Sequence, residues 1–436
     1  MLEFLTIGLF CVGLLSCILT KTSIIFALLF GFCVFIGYGL VKQCALAYLL
    51  RSAFNSTRRV LTIALVMLLI GALTASWRAA GTIAYIVSFA CQYIEPEIGL
   101  LSAFLLNALL STLTGTSFGT VATMGVITMT LLNAMGYPAW LSGGAILAGI
   151  YVGDRCSPVS TSALLVCAVT QTTIYKNIRL MIRTSIIPMI LSCGFYLIAG
   201  LFIDSQTTTL DISQIFSKGF DLNFWTVIPA LILVACISIR CDIRLTMVLS
   251  LTSAIPICIW IQGMNPQELV YTLISGYEAK NDQIALLLNG GGILSMVTVV
   301  AIVVISSTFS GLFESTGLIR SIQRYITLIA KKITPFGTII VTSLVTAGIA
   351  CNQALPIMLT QQLCQPLVSD RQRLAIDIEN SAVVLAPLVP WCIAGAIPLA
   401  ILGAPTQAIS SAVYLWLLPL WGLLAQKHRL QQNWNS

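Results

Sequence analysis

The stretch EIGLLSAFLLNALLSTLTGTSFGTVATMGVITMTLL, residues 97–132, decides the fold class. A membrane-spanning helix needs about 20 mainly apolar residues. This stretch is apolar well beyond that length, and Gly115-Thr116-Ser117-Phe118-Gly119 interrupts it midway. Backbone N–H and C=O groups freed by such a break find no partner in hydrocarbon, so the break belongs inside protein or beside a bound solute. A second stretch, 335–367, has the same form, with Cys351-Asn352-Gln353 as its break. Pro356 just beyond it prevents a helix from running straight through.

Working outward, the same ruler places further spans at roughly 3–20, 22–40, 59–79, 180–203, 224–239, 245–262, 293–313 and 405–425. Two more apolar stretches, 139–171 and 377–402, are interrupted by GDRCSP (153–158) and APLVP (386–390). Each is long enough for two half-depth helices around a tip and reads as a re-entrant hairpin, the alternative being a complete pair of short spans. The expectation is an all-α polytopic membrane protein of about ten transmembrane helices plus two re-entrant hairpins. Composition agrees. Of 436 residues, 58% are hydrophobic and only 8% charged, against about 25% charged in a soluble domain. So little charge cannot clothe a soluble surface, which excludes a soluble enzyme, a nucleic-acid binder and a disordered chain.

The net charge of +7 is then a matter of topology. With the N-terminus inside, the cytoplasmic loops hold Lys42, Arg51, Arg58, Arg59, Lys176, Arg179 and Arg183, then Arg240, Arg244 and the basic residues of 320–332 and 427–429. The outside holds only Lys21, Lys218, Lys280, Arg371 and Arg373. This is the asymmetry of the positive-inside rule, and it puts both termini in the cytoplasm. The N-terminus carries Glu3 and no basic run, so it reads as a first membrane helix rather than a signal peptide. The 14 cysteines lie mostly in apolar runs without a C-x-x-C pair, and the single histidine, His428, sits in the polar tail. A transition-metal site is therefore not expected.

The chain also repeats itself. LIGALTASWRAAGTI (69–83) aligns over ISSTFSGLFESTGLI (305–319), so that Arg78 meets Glu314 and Gly81 meets Gly317. At the same offset TGTSFGT (114–120) lies over ACNQALP (350–356), placing Thr116 on Asn352. The order of elements agrees as well, which divides the chain into repeats 1–205 and 220–436 around an external linker, 206–223. Five spans plus a hairpin is an odd number of crossings, so the second copy is inverted. Inverted repeats with broken helices are the signature of secondary transporters.

Three acids lie in apolar surroundings: Asp154, Glu314 and Glu379. A charge at the bilayer centre costs about 2.5–3.5 kcal/mol on insertion scales, and such residues usually serve ion or proton pathways. The bland alternatives pair Asp154 with Arg155 and Glu314 with Arg320, and leave Glu379 capping a helix at the outer surface. In the breaks, the hydroxyls of Thr116 and Ser117 and the amides of Asn352 and Gln353 are hard oxygen ligands, suited to Na+ or a polar organic solute. In the GDRCSP tip, Ser157 reads as the N-cap of the returning helix, with Pro158 at its first position. GTSFG also spells G-x-S-x-G, the nucleophile elbow of hydrolases. That chemistry needs a base beside the serine, and the only histidine is in the tail, so no enzyme is expected. A channel would need a continuous polar path, which short isolated breaks do not supply.

At GTSFGTVATMG (115–125), GAILAGIYVGDRCSPVS (144–160), GLFESTG (311–317) and ENSAVVLAPLVPW (379–391) the sequence resembles the NhaC family of Na+/H+ antiporters, which also contains organic-acid and amino-acid carriers. The resemblance spans roughly 40–425. It implies a bacterial inner-membrane carrier that exchanges Na+ or another monovalent cation for H+, or takes up a small organic acid or amino acid with Na+ or H+. It implies no cofactor beyond the coupling ion. The expected partners are lipid and a small ion or solute, with a homodimer left open. The departures are specific: Thr161 where the family is expected to carry an Asp, Cys351-Asn352-Gln353 for Gly-Asp-Gln, and Glu379-Asn380-Ser381 for Glu-Asp-Ser. Three acids become neutral, which suits an anionic or zwitterionic solute better than a tight cation site. The candidate site is Asp154, Glu314 and Glu379 for coupling, with Thr116, Ser117, Ser157, Thr161, Asn352, Gln353, Asn380 and Ser381 around them.

Overall fold

The computed structural model describes residues 2–20, 22–58, 61–158, 160–202, 212–239, 241–318, 333–350 and 352–434. Among them helices carry nearly the whole chain, and no strand forms beyond one isolated bridge, Tyr277 with Gly290. Six helices are long and apolar enough to cross a bilayer, or eight when each bent pair is one span, and shorter apolar helices accompany them. The protein is a multi-pass membrane protein.

Helices α1 (Leu2–Leu19) and α2 (Ile24–Val41) form an antiparallel pair closed by a Glu3–Lys42 ion pair at 3.1 Å. Helix α3 (Leu46–Arg58) is amphipathic, burying Leu49, Ala53 and Ser56. Helix α4 (Leu61–Ala79) turns by 67° at Gly81, which takes φ +75°, into α5 (Thr82–Ala90).

The decisive stretch forms α6 (Gly99–Thr114), α7 (Ser117–Thr120) and, after a π-helical turn, α8 (Val126–Ala134). Gly115 ends α6 at φ +67°, a left-handed conformation that glycine adopts without a Cβ penalty. The chain reverses there. Asn107 on α6 donates to the Thr128 hydroxyl on α8 at 2.9 Å, 21 residues later, whereas a straight helix would separate them by about 30 Å. Residues 97–134 are thus a helical hairpin with its tip at Gly115-Thr116.

Helix α9 (Ala139–Cys156) is the centre of the molecule, with every residue from Leu141 to Cys156 buried. Helix α10 (Thr161–Thr170) follows, and the long α11 (Ile174–Phe202) runs back beside both. Along α11, Asn177 bonds Thr172 and Cys167, Met181 and Ser185 receive Arg155, and Tyr196 reaches Gly144. From Asn177 to Tyr196 a helix rises roughly 28 Å, so Cys167 and Gly144 lie that far apart. Helices α9 and α10 therefore continue in one direction across their interruption.

The second half follows the same scheme. After the short α12 (Ile212–Ser217), α13 (Ile228–Ser238) and α14 (Ile243–Pro256) pack as a pair. Two short helices, α15 (Pro266–Ser275) and α16 (Asp282–Leu288), lead into α17 (Ile293–Thr316), whose C-cap Gly317 has φ +65°. Helices α18 (Pro335–Ala350) and α19 (Ala354–Cys364) form a second hairpin, with Thr346 and Thr360 hydroxyls 3.3 Å apart across it. Then α20 (Arg371–Glu379), α21 (Ala382–Leu385) and α22 (Ile393–Leu402) form an apolar segment long enough for one crossing and bent by 50°, and α23 (Val413–Trp434) closes the described chain. This bent segment runs antiparallel to α9–α10. Arg371 meets Gln171 at 2.6 Å, Asn380 meets Arg155, and Tyr151 donates to Ala394 O at 2.6 Å.

The geometry differs from the expectation for these stretches: 139–171 and 377–402 run on past their breaks, whereas 97–134 and 335–364 fold back on themselves, the first as two helices each long and apolar enough to cross a bilayer. The reason is local at Gly115, whose left-handed backbone reverses the chain. It is tertiary at Ser157–Ser160, where hydroxyls bridge the break and keep the two parts in line. Arg371 and Arg373, expected on the outside, consequently share a face with Gln171 and Lys176, in better keeping with the positive-inside rule.

Glycines allow the first hairpin to press onto α9. A Cβ at Gly153 would sit 2.0 Å from the Ser111 carbonyl carbon, and one at Gly149 would sit 2.6 Å from Phe104 O. This geometry is checked by labelling single cysteines with an impermeant maleimide in a cysteine-depleted background. Arg371→Cys is expected to react from the same side as Lys176→Cys, and Gln407→Cys from the other. Arg371→Cys reacting with the Gln407 side would restore 335–367 as a full crossing.

Candidate functional site

Asp154 stands near the end of α9 and is 3% exposed. Its Oδ2 accepts from the Ser162 hydroxyl of α10 at 2.9 Å and from Gln353 Nε2 of the second hairpin tip at 2.9 Å. Ser117, at the first tip, turns its backbone toward the same carboxylate and its hydroxyl toward Tyr151. Both tips and both sides of the α9–α10 interruption thus meet at one acid. The break also exposes the Asp154 carbonyl, which Ser160 and Ser162 hydroxyls both cover, the latter at 2.8 Å. Ser160, rather than Ser157, caps α10, accepting from the Ala163 N–H at 3.3 Å. Ser157 instead terminates α9, donating its N–H to Gly153 O at 2.9 Å. Three residues farther on, the chain can start a new helix only where a hydroxyl reaches its free N–H groups, and Ser160 is the one so placed.

Arg155 does not pair with Asp154. Adjacent helix residues point about 100° apart, and the fully buried Arg155 guanidinium turns to the other side. It donates to Ser185, to Thr184 Oγ1 at 2.9 Å, to Met181 O at 3.2 Å and to Asn380 Oδ1. The ion pairs among the described residues are Glu3–Lys42, Asp242–Arg244 and Asp377–Arg373, and Arg155 joins none of them. Glu379 ends α20 in the interior rather than at the surface, wholly buried, with no hydrogen-bond partner on either carboxyl oxygen. Such a group is stable there as the neutral acid or with a cation beside it. Ser381 donates to Asp377 O at 2.7 Å and accepts from Ser343 at 3.2 Å.

Of the other candidates, Thr116 and Asn352 are helix caps, accepting from Gly119 N at 3.0 Å and Leu355 N at 2.9 Å. Their side chains are committed to the backbone, as the orphan donors of a helix start require. Thr161 is exposed on the first turn of α10, so the structure does not bring it to Asp154. A residue at the start of a helix faces whichever way the cap sets it, and Ser162 takes the inward place. Glu314 lies in the last turn of α17; its side chain and Arg320 are outside the described residues. Sequence reasoning missed Tyr151, Ser160, Ser162, Thr184, Ser185 and Tyr414. Their only signal was a hydroxyl in an apolar helix, which many lipid-facing positions share.

A cavity of about 380 Å³ opens on the Arg371 face and ends at Thr184 and Asn380, the groups that hold Arg155; Arg183, Arg373, Asp370 and Asp377 line its way in. A second, of about 340 Å³, lies toward the opposite end, between α4, α8 and the Gly290–Gly292 loop.

A multi-pass protein whose broken helices gather buried acids, a guanidinium and hydroxyls between two cavities belongs to the class of secondary transporters. The chain belongs to the Na+/H+ antiporter family, whose model matches residues 2–166 and 149–421. It is 28% identical to a malate-2H(+)/Na(+)-lactate antiporter of Bacillus subtilis over 81% of this chain and 77% of that one. It is 27% identical to the Na(+)/H(+) antiporter NhaC of the same organism, over 85% and 84%. It is 26% identical to the arginine/ornithine antiporter ArcD of Halobacterium salinarum, over 81% and 76%.

The two buried side chains should respond oppositely to replacement by glutamine. Glu379→Gln is expected to leave the thermal midpoint in detergent unchanged or raised, since no donor is lost. Arg155→Gln is expected to lower stability by about 2 kcal/mol or more, because hydrogen bonds to a charged group contribute roughly 1.5–3 kcal/mol each. Equal destabilisation by both would mean that Glu379 is held by a donor.

Proposed function

We propose that the protein is a carrier of ten spans and two re-entrant hairpins, built from inverted repeats 1–205 and 220–436 around an external linker, 206–223. Both termini face the cytoplasm of the bacterial cell it serves. It exchanges Na+, or another monovalent cation, for H+. The matching bounds of Gly99–Thr114 and Pro335–Ala350, at the offset that also joins Gly81 to Gly317, support the repeat. Each half then holds five crossings and one hairpin, an odd count that inverts the second copy.

The observation that carries the ion site is the Asp154 carboxylate, buried yet reached by Ser162, Gln353 and the Ser117 tip. These donors hold the carboxylate in place, and once Ser162 and Gln353 turn their oxygens toward it the carboxylate, hydroxyl and amide oxygens suit a small hard cation. A proton on Asp154 removes the charge that would hold that cation, so the two compete, and competition at one alternately exposed acid is exchange. Glu379 is the second acid of the centre, and Glu314 a third coupling group at the end of α17. Ser157, Asn380 and Ser381 complete the wall, while Thr116 and Asn352 shape the tips.

A second reading, ion-coupled transport of a small organic acid or amino acid, is favoured by Arg155. Its partner at 380 is the neutral Asn380, and the guanidinium lies just behind the Thr184 and Asn380 end of the cavity, with Glu379 acting on its charge. The malate/lactate and arginine/ornithine relatives fit that reading. Purified protein in proteoliposomes separates the two: a Na+ gradient alone is expected to move internal pH without any organic solute. Asp154→Asn keeps size and hydrogen bonding, and is expected to raise the Na+ concentration for half-maximal exchange at least tenfold in a folded protein. Unchanged ion dependence would make Asp154 a structural residue. Unitary currents in planar bilayers would make the protein a channel.

A further inference from the structure

Arg78 is a charge that the exchange mechanism does not use. It closes α4 just before the Gly81 bend, far from the Asp154 centre along the chain. A guanidinium keeps its proton under all physiological conditions, so burial cannot neutralise it. Here Nη1 donates to Leu288 O at 2.7 Å and Asn289 O at 2.8 Å, which orients the group without balancing its charge. Its Nε is shielded from solvent and has no partner. Arg78 belongs to none of the ion pairs among the described residues.

The group faces the cavity of about 340 Å³, and no Asp or Glu lines that cavity. The lining adds the Asn133 and Asn289 amides and the Thr130 hydroxyl, beside the apolar side chains of Met129 and Met296. The loop that forms one wall is fixed on α4: Gly292 N–H donates to Gly71 O at 2.8 Å. At Gly291, φ +76°, a Cβ would stand 2.8 Å from Ala75 N, so only glycine lets the loop approach α4 this closely. The wall is therefore built and not a chance gap.

We propose that this cavity is a binding site for a small carboxylate with a short carbon body, its carboxylate group on Arg78 and its body against the methionines. A planar guanidinium binds a carboxylate through two parallel N–H donors, a geometry a spherical anion cannot match. The volume admits a ligand of this size, and the amides and hydroxyl provide for a hydroxy- or second carboxylate group. The inference rests on the reading of the chain as a carrier with a vestibule at this end, and it assigns the substrate class of the organic-solute reading.

The test is binding to purified wild-type protein in nanodiscs, by calorimetry and thermal shift, with potassium acetate, L-lactate and L-malate against potassium chloride at equal ionic strength. Carboxylates are expected to bind and to raise the midpoint, with chloride inactive. Arg78→Gln is expected to weaken binding at least tenfold, and Arg78→Lys to recover part of it. Should Arg78→Gln fail to fold, Asn133→Asp decides the matter. That variant puts a carboxylate in the cavity and is expected to cause the same tenfold loss. No carboxylate binding by the wild type, equal binding of chloride, or unchanged binding in either variant overturns the site. Na+/H+ exchange measured on the same preparation without carboxylates reports separately. Its absence with carboxylate binding intact refutes cation exchange alone, and its presence without carboxylate binding refutes this inference alone.

Discussion

Every interruption of a helix within a membrane leaves backbone groups that lipid cannot satisfy, and the architecture of this protein follows from how those groups are answered. The breaks answer one another. Ser160 and Ser162 cover the carbonyl that α9 frees at Asp154, and Gln353 from the second tip donates to Val383 O as well as to the Asp154 carboxylate. Trp391, in the break of the bent segment, donates to Gly348 O at the end of α18 at 2.7 Å. Had the breaks been scattered, each would have left its own unpaired groups at a cost of several kcal/mol. Gathering them into one region meets the requirement with few side chains and also makes a polar centre deep in an apolar molecule.

That centre separates its charges by helix geometry. Asp154 and Arg155 are neighbours in sequence, yet α9 sends them to different partners: the acid to the hairpin tips, the base to α11 and Asn380. An acid paired tightly with an arginine would be a poor carrier of ions, because the arginine would already occupy its place. An acid held only by neutral donors can trade a cation for a proton. Glu379, with no donor at all, extends the same principle. Gln353 and Asn380 hold the two charges in shape without adding negative charge of their own.

The close approach of helices is equally tied to this arrangement. Gly149 and Gly153 admit the backbone of α6 onto α9, and this contact sets the depth at which the Gly115-Thr116 tip ends. Larger residues there would lift the tip away from Asp154 without altering the acid itself. Packing along the face of α9 beside the carboxylate thus controls its surroundings.

The amino-acid sequence by itself determined that the chain lives in a membrane, that it is all helix and where the breaks fall. It also carried the family, through 115–125, 144–160, 311–317 and 379–391. These properties are local: apolar length, a glycine, a proline or a charge acts within a turn or two of its own position. Only the tertiary structure decided what the chain does after each break. Gly115 reverses it, while the break at Ser157–Ser160 lets it continue, and the two look alike on paper because both are short polar interruptions. The tertiary structure also decided that Ser162 and not Thr161 faces Asp154, and that Glu379 is interior and not a surface cap. Direction after a break depends on which distant helices offer donors and a packing surface, and that information is held in contacts between segments far apart in the chain.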